Sequence, residues 1–487
     1  MNRDSFLNKK CIFNDLRLLQ CPISMAIFYD PVIAKDGYTY ERNNIEIHFL
    51  TKKTSPMTNE NIETHLTPNL IIKQIILKSI KTHSHLRTEY EESKNIYYKK
   101  RNILTNENIY IVVKGYLSGD INIKQQITQK YGKISDWNVS NVTNMSYIFV
   151  NATDFNEDIS TWDVSNVKNM EGMFAHATYF NQPLNNWNVF NVKNMEGMFY
   201  NTTYFNQPIN NWDVSNVTNM RRMFNNSIKF DQPLNNWNVS KVVNMRGMFH
   251  TAKSFNHPLN NWNVSNVTTM EGMFCKSESF NQPLNNWDVS NVIYMKEMFC
   301  DAKHFNQFLN NWNVSNIKNT EGMFYGTKYF NQPLNNWDVS NVTAMTCMFA
   351  RASSFNQPLN DWNIFNVVTM AGIFANTNSF NQPLNNWNVS KVNIMSASFA
   401  EAIAFNQPLN NWNVTNVTNM EHIFNKAVSF NQPLNNWNVS NVTNLEWMFY
   451  KAISFNQSIN DWNISNTANT LSMFQEATLL NQSITNN

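Results

Sequence analysis

Residues 162–186 read WDVSNVKNMEGMFAHATYFNQPLNN, and this stretch recurs with little change to the end of the chain. Trp137, Trp162, Trp187, Trp212, Trp237, Trp262, Trp287, Trp312, Trp337, Trp362, Trp387, Trp412, Trp437 and Trp462 follow one another at 25-residue spacing without a slip. Only Trp447 lies off that ladder. A fixed period with no insertion means that each unit stacks on the last in one register. Within a unit, Leu184, Trp187 and Val189 form an L-x-x-W-x-V pattern whose last two members alternate as a short strand requires. Met170, Met173, Phe174 and Ala177 then share the spacing of one helical face, with Asn169 as N-cap. The Asn-Gln-Pro that follows Phe180 stops the helix and turns the chain back. The pattern predicts a coil of strand, helical turn and return. If strand pairing at ~4.8 Å sets the rise, such an array spans roughly 65–70 Å.

Each coil carries a Phe twelve residues after its Trp and an Ala, Thr or Ser fifteen after it, as close stacking demands. The repeated Asn-Val-Ser and Asn-Val-Thr triplets are formal glycosylation acceptors. The better reading is structural, with asparagine side chains bonding the backbone of adjacent coils. In the last coil Thr467 and Thr470 replace the usual Val and Met, and Leu480 replaces Phe, as expected of a terminal unit.

The chain of 487 residues is too long for a single small core, and its +2 net charge is unevenly spread. Residues 1–136 hold 20 Lys/Arg against 14 Asp/Glu, while the remainder hold 17 against 21. Neither part has the dense basic stripe of a nucleic-acid binder. No apolar run backs the N-terminal charges, and none approaches the ~18 residues of a membrane span. Cysteines 11, 21, 275, 300 and 347 are odd in number and lack framework spacing. These features lead us to expect an intracellular, cytoplasmic protein that is not secreted and engages neither membrane nor nucleic acid. Heavy use of Asn, Ile and Lys suggests an AT-rich genome such as that of a giant virus or protist, with the host cytoplasm as setting if viral.

From about residue 131 the repeats resemble the BspA-like family, a leucine-rich-repeat-like type associated with mycoplasma lipoproteins. Residues 21–76 carry a second resemblance. In order they present Cys21-Pro22-Ile23-Ser24, Asp30-Pro31-Val32, Gly37-Tyr38-Thr39-Tyr40-Glu41-Arg42, Ser55-Pro56-Met57-Thr58 and Leu66-Thr67-Pro68-Asn69. Five such motifs at this spacing resemble the U-box family of ubiquitin ligases. A zinc-binding RING needs about eight Cys/His ligands in pairs, and Cys21, His48 and His65, with Cys11 outside, cannot supply them. Asp30, Asp36, Glu41, Arg42 and Glu46 are available for hydrogen bonds and ion pairs in place of metal.

The resemblance implies a ligase with no catalytic nucleophile, no metal and no cofactor, whose partners are ubiquitin, a ubiquitin-conjugating enzyme and an unknown protein substrate. It places the conjugating enzyme on Ile23, Met25 and Pro56. It also sets Asn59 where ubiquitin-ordering relatives carry an Arg, and Asn61 where they carry a second proline. Asp30, Pro31, Gly37, Tyr40, Arg42, Pro68 and Asn69 become scaffold, with Tyr38 and Leu70 added to the core and His48 packed on the first loop.

The expected fold is thus multidomain α+β: a small metal-free, RING-like U-box followed by an α/β solenoid of fourteen repeats. Residues 1–11 read as a tail, 12–82 as the U-box, 83–133 as a helical linker and N-terminal cap, and 134–487 as the solenoid. Positions that vary from coil to coil, including Arg221, Arg222, Arg246, Lys276, Lys296, Glu297, Arg351 and Trp447, are candidates for partner binding. The competing reading is a structural or interaction repeat protein with a weak or inactive U-box. A cofactor-dependent enzyme finds no phosphate loop, metal cluster or nucleophilic triad in the sequence.

Overall fold

The computed structural model describes residues 16–101 and 103–479. The expected tail 1–11, Cys11 and Leu480 lie outside them. The chain divides into two compact units, one holding the residues up to Leu104 together with Thr128–Asn138, the other Thr105–Ile127 and everything from Val139 onward.

The first unit is organised by a three-stranded antiparallel sheet of order β2-β1-β3, with β1 at Pro31–Ile33, β2 at Thr39–Glu41 and β3 at Thr67–Pro68. Helix α1 (Arg42–Thr51) follows β2 directly, and α2 (Leu70–Ser79) follows β3. Asp36 accepts from the Tyr38 amide, and Gly37 adopts φ +82°, the left-handed conformation this tight turn needs. Asn69 caps α2 by accepting from the Ile72 amide, donates its side-chain amide to Thr39 Oγ1, and bonds Pro31 through its backbone. Leu19, Cys21, Ile27, Phe28, Val32, Tyr40, Ile45 and Ile76 form the core, joined by Leu86 and Tyr90 of α3 (Ser84–Arg101). Tyr38 and Leu70 are corrections to the expected core, since both stand in solvent, Leu70 on the outer face of α2.

In the second unit each 25-residue segment stacks on the next. Parallel bridges join Asn144 to Asn169, Asn169 to Asn194 and so on to Asn469. Neighbouring Trp rings stack at 6.2–6.5 Å between centroids, Trp187 on Trp212 and Trp387 on Trp412 among them. From Trp187 to Trp462 each indole of the ladder donates to a carbonyl of the preceding coil, as Trp212 Nε1 does to Leu184 at 2.9 Å. The Asn of the Asn-Val-Thr triplets bonds the adjacent coil, as Asn216 and Asn341 do by donating side-chain amides to carbonyls one coil back. The Asn of Asn-Val-Ser instead accepts within its own coil, as Asn238 does from the Ser240 amide, a correction to the expected bond between coils.

The expected helix and strand within each coil are both corrected. Among the described residues of the repeats there is no helix and no extended strand, only turns and single bridge positions. The reason is backbone conformation. The residues ten and fourteen positions after the Trp, such as Gly172 and His176, have φ near +60°, which ends any right-handed helix. Two turns result, and their amides split into two sets. Met173, Ala175 and Ala177 donate three residues back inside the coil, while Met170, Gly172, Phe174 and His176 donate to the next coil. Two successive turns and one helical turn bury the same spacing, so Met170, Met173, Phe174 and Ala177 are fully inaccessible as predicted. Asn169 accepts from Glu171 two residues on, an Asx turn rather than a helix cap. Around Trp187 a turn closes from its amide to Leu184, so that segment does not extend either.

At the start of this unit, α4 (Ile109–Tyr116) buries Ile109, Val112, Val113 and Tyr116, and the first part of α5 (Ile121–Tyr131), up to Ile127, follows it. Asn106 accepts from the amides of Thr143 and Asn144, and Tyr116 donates to Glu157. In later coils the amide aligned with Thr143 bonds a preceding coil instead, as Lys193 does with Lys168. At the far end Thr467 and Thr470 are exposed where Val442 and Leu445 are buried.

Candidate functional site

Two loops of the first unit share one construction. In the first, the Cys21 amide bonds Ala26 at 2.8 Å and the Met25 amide returns to Cys21 at 2.7 Å. In the second, the Ser55 amide bonds Glu60 at 2.8 Å and the Asn59 amide returns to Ser55 at 2.9 Å. Gln20 pairs with Ile27 and Thr54 with Asn61 at the bases. Met25 and Asn59 occupy matched positions with φ of 58° and 63°. Pro22-Ile23 thereby aligns with Pro56-Met57.

Helix α1 ties both loops to the domain. At its start, Glu41 turns its carboxylate onto the first loop, accepting from the amides of Tyr29 at 2.8 Å and Asp30 at 3.0 Å. Burial pushes the Glu41 carboxyl above its ordinary pKa, partly opposed by those two amides. Cys21 Sγ accepts from the Glu41 amide and from Asn44. Arg42 Nε meets Asp30 Oδ2 at 2.8 Å, and its guanidinium reaches toward Glu46 at 3.9 Å. At the other end of α1, His48 Nε2 lies 2.8 Å from the Thr54 carbonyl. His48 therefore holds the second loop, a correction to its expected place on the first. Ser55 Oγ accepts from the amides of Met57 and Thr58, and Tyr40 donates its hydroxyl to Asp36. Burial and the Asp36 carboxylate both push the Tyr40 pKa up.

With the loop frames pinned from within, their apolar tips face solvent. Ile23 is 40 %, Met25 64 % and Met57 49 % exposed, with Pro56 half-buried beside them in sequence. Met57 is the residue that sequence reasoning missed. The signal was there, because Cys-Pro-Ile-Ser and Ser-Pro-Met-Thr are the same motif written twice. Asn59 is exposed, and its left-handed backbone is one that Asn tolerates better than most residues. Of the residues expected as scaffold, Pro31 lies in β1, Pro68 in β3 and Tyr40 in the core, and Arg42 meets Asp30.

On the repeats, the variable positions fall in several settings. Arg221 pairs with Glu196 at 3.1 Å, Arg246 with Glu271 at 3.2 Å and Lys296 with Glu321 at 3.1 Å, forming ion pairs between adjacent coils. Arg222, Arg246, Lys296 and Glu297 line one recess. Arg351 lies elsewhere, with its guanidinium 5.6 Å from the Tyr325 ring. Trp447 stacks on His422 at 6.0 Å, meets Tyr450 edge-on and donates to Glu446.

Comparison with known proteins bears on both units. A family model for the U-box domain matches residues 18–85. The model described as "Mycoplasma protein of unknown function, DUF285" matches residues 121–235, 207–312, 304–408 and 384–487. A "Probable bifunctional E2/E3 enzyme R795" of Acanthamoeba polyphaga mimivirus is 54% identical over 56 residues, 12% of this chain and 4% of that protein. The "WD repeat, SAM and U-box domain-containing protein 1" of Danio rerio is 53% identical over 60 residues, 12% of each chain. The "E3 ubiquitin-protein ligase PUB22" of Arabidopsis thaliana is 44% identical over 59 residues, 12% of this chain and 14% of that protein. The chain thus spans only a small part of the length of these relatives. It belongs to the repeat family described as Mycoplasma protein of unknown function, DUF285, and carries a U-box domain ahead of its repeats.

Proposed function

We propose that this protein is a U-box ubiquitin ligase that binds a ubiquitin-charged conjugating enzyme on its paired loops and recruits a partner protein through its repeats. The observation that carries this reading is the exposed Ile23, Met25 and Met57, with half-buried Pro56 beside them, on loops closed by backbone hydrogen bonds. An isolated exposed Ile means little. Several apolar side chains on rigid loops suit a small docking patch. The chemistry is non-covalent: the ligase lends no nucleophile, and a substrate lysine attacks the thioester of the conjugating enzyme. The work is proximity and orientation, and Asn59 stands where a hydrogen bond to ubiquitin would restrain it. Ubiquitin and its conjugating enzymes set the protein's place in the cytoplasm.

In this reading the repeats form a solenoid of fourteen coils, with α4 and Asn106 at its first end. Stacked coils offer columns of side chains along their length, which suits an extended partner segment. The test is ubiquitin-chain formation with a panel of conjugating enzymes, comparing the wild type with Ile23→Ala, Pro56→Ala and Met57→Ala. Robust chains from one enzyme, reduced at least tenfold by Ile23→Ala, are expected. No chains from any member of the panel would refute the ligase reading.

A further inference from the structure

The residues ten positions after each Trp form one column along the repeats, and six of them are glycine: Gly172, Gly197, Gly247, Gly272, Gly322 and Gly372. That preference follows from the left-handed backbone at every member of the column. Across four consecutive coils the column runs Arg222, Gly247, Gly272, Glu297. Two coils without a side chain are thus bounded by a cation on one side and an anion on the other.

The gap is a recess of about 530 Å³ lined by Tyr200, Arg222, Asn225, Arg246, His250, Glu271, Lys296 and Glu297 around the glycine floor. The flanking column is internally neutralised, Arg246 by Glu271 and Lys296 by Glu321. Arg222 and Glu297 are different. Among the described residues neither side chain has a hydrogen bond or ion pair, and both are exposed. Three coil steps of ~4.8 Å hold them about 14 Å apart, too far to pair with each other. Arg222 and Glu297 also sit at φ 54° and 57° in a column where glycine is the relaxed choice.

We infer that this recess binds an extended peptide segment of a partner protein, with an acidic residue against Arg222 and a basic residue against Glu297. An extended chain advances ~3.3 Å per residue, so the two charges should be about four residues apart. Arg222 leans over Gly247, so the residues between the two charges lie over Gly272, where no side chain of this column stands in the way. The inference rests on the reading that the repeats recruit a partner, and names the chemistry that partner presents.

The experiment is affinity selection of a random dodecapeptide display library on the full-length protein and on the charge-swapped double variant Arg222→Glu with Glu297→Arg. Binding alone is read, so the result does not depend on ligase activity. Wild type should enrich an acidic residue followed or preceded, in one fixed chain direction, by a basic residue three to five positions away. The swapped protein should enrich the reversed order and bind wild-type-selected peptides at least tenfold more weakly. Enrichment that the swap leaves unchanged would overturn the recess while leaving partner recruitment standing. Absence of any charge pattern on the wild type would overturn the inference as well. Should the double variant melt early, Arg222→Gln and Glu297→Gln are each expected to lose selection for one charge only. Loss of neither would count against it equally.

Discussion

Replacing Glu41 by Ala should loosen the first loop of the U-box unit and leave the repeats untouched. The Glu41 carboxylate accepts from two backbone amides, Tyr29 at 2.8 Å and Asp30 at 3.0 Å. Leaving a buried donor unmade costs ~1–3 kcal/mol. Both residues are half-buried, so water recovers part of that. Relief of the buried charge offsets more. A net loss of about 2–3 kcal/mol follows, and Glu41→Gln, which keeps one acceptor oxygen, should lose about 1 kcal/mol. For a domain of this size each kcal/mol moves the melting temperature by ~4–8 °C. Calorimetry on the full chain should therefore show the U-box transition falling by roughly 10–20 °C in the Ala variant and by about half as much or less in the Gln variant. The repeat transition should stay in place. The pH dependence adds a signature. Because the folded carboxyl titrates above its unfolded value, the native state holds more protons in that window. Wild-type U-box stability should accordingly fall as pH rises from about 4.3 toward the raised folded value, and the Gln variant should lack that slope. Equal, small shifts in both variants, under about 2 °C, would refute the claim that this carboxylate organises the loop.

Three further outcomes are expected. Phe274→Ala removes a ring stacked on Phe280 at 4.0 Å and on Phe249 and Phe299 at 5.7 and 5.8 Å, and should cost about 3–5 kcal/mol, read as a lowered urea midpoint of the repeat transition. His250 is held below its ordinary pKa by burial and by Lys276 and Arg222, against the opposing pull of Glu297. The unfolded chain then binds that proton more readily, so repeat stability should drop as pH falls through and below about 6.5, and His250→Asn should flatten the dependence in thermal melts taken across that range. Asn59→Arg should speed single-turnover discharge of ubiquitin from a conjugating enzyme severalfold by supplying a charged donor, while costing under about 1 kcal/mol at its left-handed backbone; an unchanged discharge rate would remove Asn59 from the ubiquitin-facing surface.

Periodicity alone determined that the chain holds stacked 25-residue units and which side chains of each unit point inward, while the U-box ahead of them was legible as a family resemblance. Periodicity did so because burial depends on where apolar residues recur, and Met170, Met173, Phe174 and Ala177 recur at fixed intervals whatever the backbone does between them. The backbone itself was decided by tertiary structure. A helix satisfies its amides within itself, whereas here alternate amides are satisfied by the next coil, a partner 24 residues away that no local propensity reports. The same holds for the site. The tips at Ile23, Met25 and Pro56 were legible as motif residues, but Met57 entered only when the hydrogen bonds showed two loops of one construction. The variable columns could be named from sequence. That Arg221 and Arg246 are paired along the stack, while Arg222 and Glu297 stand unpaired on either side of two glycine-bearing coils, required coils in register. Charge neutralisation is set by distance between coils, and a linear sequence carries no distance beyond its own turn.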